Sequence, residues 1–295
     1  MSGRAQQVSE RSLERVSDVG ASRRTVIVAL LANGVIALTK LAGGMLSGSP
    51  ALLAEAAHSV ADTTNQAFLL VSIALGQREP TPDRPFGFGQ ERYLWTFMAA
   101  VGMFLAGATF AIGFGIYELM NRAGETEGFA VAYAILALSF VAEGTSWLRA
   151  LRQTRREARE AGRPVLDHAR RSRDPNVKMV LFEDTAALAG IAIAAAGIGL
   201  HQVTGQPFWD PAASILIGLL LIAVAAWKAR DTAALLTGAA ARPQEREAIE
   251  RVLEDSPQID EVIELLTMVL GPNALLVAAA STSPTRRRRR RSSSP

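Results

Sequence analysis

Six apolar segments set the limits on how this chain folds, each approaching or exceeding the ~20 residues that a helix needs to cross a bilayer core. They run roughly over residues 25–46, 50–76, 93–119, 129–147, 179–200 and 211–227. In hydrocarbon every backbone amide must be bonded within its own helix or within a closed barrel, so segments of this length and character leave few folds open. The sequence predicts an all-α membrane protein with six transmembrane helices. With aromatics at only 6% and 24 glycines, its helices are suited to close packing through small residues.

The basic residues orient those crossings. Ten Lys and Arg lie between Arg149 and Lys178, and Arg78, Arg84 and Arg92 sit between the second and third segments. Residues 47–50 and 201–210 carry none, and residues 120–128 carry only Arg122. By the positive-inside rule both termini are predicted to be cytoplasmic. The overall style of the chain, and not the charge pattern, suggests a bacterial inner membrane. The first 24 residues are polar and read as a cytoplasmic arm. The first apolar run is long enough to stay as an anchor, so no cleavable leader is expected.

Past the sixth segment the pattern changes. Pro243 to Ser256 places Ile249, Val252 and Leu253 on one face behind an early proline, which predicts an amphipathic helix. Ile259–Leu270 and Ala274–Ala279 read as strands about a Gly271-Pro272-Asn273 turn. The organisation expected is therefore an arm (1–24), a six-helix domain (25–230), a short, apparently truncated α/β cytoplasmic domain (231–280) and a low-complexity Arg/Ser tail (281–295). The formal charge of +3 falls to −3 without the six arginines of Arg286–Arg291, so a nucleic-acid partner is not expected.

Charged residues inside apolar segments are unfavourable and mark function by default. Here the predicted spans hold Lys40, His58, Asp62, Glu143, Glu183 and Asp184. His58 and Asp62 are four apart in AEAAHSVADTTN, hence on one helical face. Counting 1.5 Å per residue along two oppositely directed helices puts Asp62 and Asp184 within about one turn of the same depth. One imidazole and two or three carboxylates suit Zn²⁺, and also Mn²⁺, Fe²⁺ or Co²⁺. Such ligands bind metal only when deprotonated, so metal and protons compete for the same atoms. Adjacent helical residues point about 100° apart, so only one of Glu183 and Asp184 is expected to ligate. Asn65, Glu143 and Lys40 are candidates for supporting contacts. Asp210, before Pro211, reads as a helix N-cap, and His168 and His201 as solvated. An enzyme is not expected: there is no HExxH, and the chain has no cysteine to act as a nucleophile.

AEAAHSVADTTNQ followed by PDRPFGFGQERYLW, then FEDTAALAGI and WDPAASILIG, resembles the cation diffusion facilitator family of divalent-metal/proton antiporters over about residues 25–279. The resemblance implies His58, Asp62 and Asp184 as metal ligands, with Asp184 preferred over Glu183. It implies a zinc-transporting branch with a Glu-Asp pair in the fifth helix, no cofactor beyond the transported ion and protons, and a homodimer. A non-transporting membrane metal sensor is the other reading. The chain departs from the family pattern at Val180, where many members have His, and at Phe88, another frequent His.

Overall fold

A computed structural model describes residues 27–28, 30–76, 78, 80–121, 128–160, 162, 164, 175–271 and 274–282. The arm, His168 in its basic loop, the Pro272-Asn273 turn and nearly all of the Arg/Ser tail lie outside the described residues.

Six long helices account for most of the chain: α1 (Leu30–Ser47), α2 (Pro50–Gly76), α3 (Glu91–Asn121), α4 (Phe129–Glu160), α5 (Pro175–Thr204) and α6 (Trp209–Leu236). Five of them, all but α2, contain stretches long and apolar enough to span a membrane. At 27 residues, or about 40 Å, α2 also has the length, but polar residues interrupt it.

The helices pack through small side chains. The core draws on five of them, for example Ala54 and Ala61 of α2, Ala108 and Ala111 of α3, Leu136 of α4, Ile191 and Ile198 of α5, and Ile217 and Leu221 of α6. Gly115 of α3 faces the backbone of Pro211, and Gly218 of α6 faces that of Ala108. With no Cβ at either position, the two helix backbones approach closely. The Ser214 hydroxyl donates to the Ala111 carbonyl across this contact at 2.8 Å. On the outside, Leu31, Val35 and Leu38 of α1 and Leu138, Phe140 and Val141 of α4 are exposed, as a lipid-facing surface requires.

Three boundaries differ from the sequence reading, each for a local reason. First, α4 runs 13 residues past Trp147, because a helix leaving the membrane can continue on polar pairs such as Arg156–Glu160 at 2.9 Å. Second, α6 continues past Trp227 to Leu236, which draws Lys228 into the protein interior. Third, Asp210 is not the N-cap of α6, since that helix begins one residue earlier. Its Oδ1 instead accepts from the Ser49 hydroxyl at 3.0 Å and the Ala51 amide at 2.9 Å. The first amides of the buried α2 N-terminus need acceptors, and a neighbouring helix supplies one. In addition, α3 carries a π-helical stretch, Met103–Ala108.

The chain divides into two units. One comprises the helices up to Leu70 and Met98–Ala229; the other takes Val71–Phe97 and everything from Arg230. In the second unit α7 (Pro243–Glu254) precedes an antiparallel hairpin, β1 (Glu261–Gly271) and β2 (Ala274–Thr282), in which Thr267 pairs with Val277. Ser281 and Thr282, assigned to the tail by composition, complete β2. Pro243 begins α7, and the Glu245 carboxylate accepts the Arg242 amide at 3.1 Å. Gly89, in the loop before α3, lies backbone to backbone against Leu270 and Gly271.

Candidate metal centre

One face of α2 supplies most of the polar groups. Glu55, His58, Asp62, Asn65 and Gln66 recur at spacings of three and four, so they descend the helix as a stripe. His58 Nε2 lies 3.2 Å from Asp62 Oδ2. That separation permits a charge contact, but the angles are not those of a hydrogen bond, and Nε2 has no hydrogen-bond partner. Asp62 Oδ1 and Gln66 Oε1 are likewise buried without one. A buried acceptor without a donor is unfavourable in an isolated protein, so a series of them points to a cationic guest.

Glu183 and Asp184 come from α5 and divide their roles. Glu183 Oε1 is paired with the Lys228 ammonium of α6 and also accepts from Asn65 Nδ2 at 3.3 Å. Asp184 accepts from the Ser146 hydroxyl of α4 and lies within electrostatic range of Asp62. Its Oδ2 is buried and unpartnered. Of the two, Asp184 is the carboxylate with an oxygen to spare, while a lysine and an amide engage Glu183.

Towards the N-terminal end of α2 a second arrangement already holds a positive charge of the protein's own. Lys40 of α1 is fully buried, and its Nζ donates to Glu55 Oε2 at 2.9 Å and to Glu143 Oε1 of α4 at 2.8 Å. Lys40 therefore pairs with carboxylates and does not reach for the membrane surface, and Glu143 joins helices. Sequence reading left out Glu55 and Lys228. Glu55 lies three residues before His58 on the same face and could have been found by extending the stripe one turn. Lys228 lies just beyond the apolar run, in WKARD, where a lysine passes for an interfacial anchor.

Among the described residues no three His, Asp or Glu side chains converge as a bound metal would require. The structure does bring His58 and Asp62 together and places Asp184 nearby. His201, expected to be solvated, is buried instead, with the edge of its ring against Phe129 at 5.5 Å between centroids. Phe88 lies under the Arg84 guanidinium at 4.9 Å, and Arg84 pairs with Glu91, so these charges hold the loop together.

The cation efflux transmembrane domain matches residues 26–237 as a sequence family. The chain belongs to the cation efflux family. It is similar to the frog (Xenopus laevis) protein named proton-coupled zinc antiporter SLC30A9, mitochondrial, at 35% identity over 84% of this chain and 44% of that protein. It is also similar to metal tolerance protein C4 of Arabidopsis thaliana, at 32% identity over 86% of this chain and 55% of the relative. The zinc transporter ZitB of Escherichia coli is 27% identical over 84% of this chain and 74% of its own length. The chain thus spans about half the length of the SLC30A9 and C4 relatives it matches. Membership makes it a membrane protein of a cation efflux family.

Proposed function

We propose that this protein moves a divalent cation, Zn²⁺ by the chemistry of its ligands, out of the cytoplasm in exchange for protons. His58, Asp62 and Asp184 would hold the ion. Asn65, Glu143 and Lys40 would support the site, with Glu183 held by Lys228. The observation that carries this reading is the set of buried, unpartnered acceptors at His58 Nε2, Asp62 Oδ1 and Asp184 Oδ2. An imidazole nitrogen with carboxylate oxygens matches the tetrahedral N/O preference of Zn²⁺, and Mn²⁺, Fe²⁺ or Co²⁺ would accept the same groups. The names of the SLC30A9 and ZitB relatives add weight to zinc and, for SLC30A9, to proton coupling.

Exchange follows from competition. Each ligand must give up its proton to bind metal, so metal loading releases protons and acidification releases metal. A site open to the cytoplasm loads, and the same site open to a more acidic outside unloads. Residues 25–230 form the transport domain in this reading, with both termini cytoplasmic. The basic residues support that orientation. Exposed Ile263, Leu266 and Val277 on the hairpin support a homodimer. Val180, where many members of the family have His, favours a second reading, a metal sensor that does not transport.

The deciding test is Zn²⁺ and Mn²⁺ flux into proteoliposomes under an imposed pH gradient, for the wild type and Asp62→Ala. Gradient-driven Zn²⁺ flux in the wild type, lost in the variant, is expected. Folded wild-type protein that binds Zn²⁺ but carries no ion would leave the sensor reading standing.

A further inference from the structure

The Lys40 ammonium sits where a cation would sit. It is held between Glu55 Oε2 and Glu143 Oε1 at 2.9 and 2.8 Å, and all three side chains come from different helices. The remaining oxygens of the two carboxylates, Glu55 Oε1 and Glu143 Oε2, are buried with no hydrogen-bond partner. Four carboxylate oxygens therefore surround one tethered positive charge and present only two contacts to it. Glu55 lies three residues from His58, about 4.5 Å along the helix axis, so this pair adjoins the proposed ion site.

Charge makes the adjacency consequential. Among the described residues, Glu55, Asp62, Glu143, Glu183 and Asp184 bring five carboxylates to the neighbourhood of this α2 face against two ammonium groups, Lys40 and Lys228. Two carboxylates joined across a helix interface without a cation repel each other in a low dielectric and attract whichever cation can reach them. A divalent ion held at His58 and Asp62 would meet this second pair about one turn beyond His58 along α2.

We propose that Lys40 is a specificity-determining residue. Its side chain is a tethered cation that closes the Glu55–Glu143 pair to metal, so that one divalent ion, and not two, is held in the membrane. Lysine suits the role because an ammonium is a compact point charge with donors that can serve two carboxylates at once. The inference rests on reading His58, Asp62 and Asp184 as the ion's ligands.

The test is the number of Zn²⁺ ions bound per full-length chain in detergent, by equilibrium dialysis against zinc alone. Lys40→Ala, which opens room at the carboxylates, is expected to bind one ion more than the wild type. Lys40→Ala combined with Glu143→Gln is expected to return to the wild-type number. Equal numbers in folded Lys40→Ala and wild type would overturn the proposal. The Asp62→Ala variant tests the reading beneath it: if it binds as many ions as the wild type, the ligand assignment fails while the Lys40 comparison still stands on its own. If Lys40→Ala does not fold in chelator, its melting is followed with zinc added. Recovery of a folding transition with millimolar Zn²⁺ but not with K⁺ supports a tethered cation, and no recovery overturns it.

Discussion

The two ends of the α2 stripe use the same residue types to opposite effect. At Glu55 the carboxylate meets Lys40, which also joins Glu143, so one ammonium is shared by two carboxylates from different helices. At Asp62 the partner is an imidazole 3.2 Å away, and the buried acceptors outnumber the donors. The first arrangement holds α1, α2 and α4 together. The second has no ammonium between its acceptors, and His58 Nε2, Asp62 Oδ1 and Asp184 Oδ2 have no hydrogen-bond partner. A buried charge pair contributes little net stability but is strongly missed when half of it is removed, whereas an unmatched acceptor set has something to gain from a guest.

The neighbouring carboxylates of α5 break this comparison most sharply. Asp184→Asn is expected to abolish gradient-driven Zn²⁺ flux while leaving the melting temperature near that of the wild type, because it removes an oxygen the protein does not use. Glu183→Gln should do the reverse. It removes the carboxylate charge opposite the buried Lys228 ammonium, a change of up to about 3–5 kcal/mol where an ion pair is desolvated. Adding Lys228→Met to Glu183→Gln should recover most of that stability, since neither charge is then left alone. Thermal melts and flux on the same three preparations check both halves. Flux lost equally at Asp184 and Glu183, with stability unchanged in both, would show that the two carboxylates share the ion.

Much of this architecture was legible from the chain. The apolar segments predicted six helices, because length and hydropathy speak directly to the bilayer, and the His58–Asp62 spacing marked the face of α2 on which the two side chains meet. Partnerships were not legible. Whether Glu183 or Asp184 is available depends on Lys228, which becomes a partner only because α6 continues beyond its apolar run. Asp210 looked like the cap of its own helix and caps α2, since tertiary packing decided which buried N-terminus was nearest. Glu55 went unread because an acidic residue near a predicted helix start has an ordinary explanation there.

A smaller effect is expected at Gly190. A Cβ built on this α5 residue overlaps Glu55 Oε1, whose carboxylate is held in place by Lys40. Gly190→Ala should therefore push on the Lys40 end of the stripe and lower stability by about 1–3 kcal/mol, the usual range for overpacking. His58 and Asp62 do not contact the added methyl, so Zn²⁺ flux should persist, measured below the variant's melting temperature. Loss of flux without loss of stability would mean that the two ends of α2 are not separable.

The smallest effect is expected where charge is matched but wet. Arg156 and Glu160 pair at 2.9 Å one turn apart, on the part of α4 that runs past the apolar segment, and both are exposed. The guanidinium is held above its ordinary range by its hydrogen bond to Glu160, followed by their mutual attraction. Water and salt screen such a pair, and holding two long side chains in one geometry offsets much of what remains. Arg156→Ala should leave both the melting temperature and Zn²⁺ flux indistinguishable from wild type at physiological salt. The distance matches the Lys40–Glu55 contact, so separation alone does not set the value of an ion pair. A measurable loss from Arg156→Ala would show that α4 relies on its charged extension, and that burial is not what separates the structural pairs in this protein from the incidental ones.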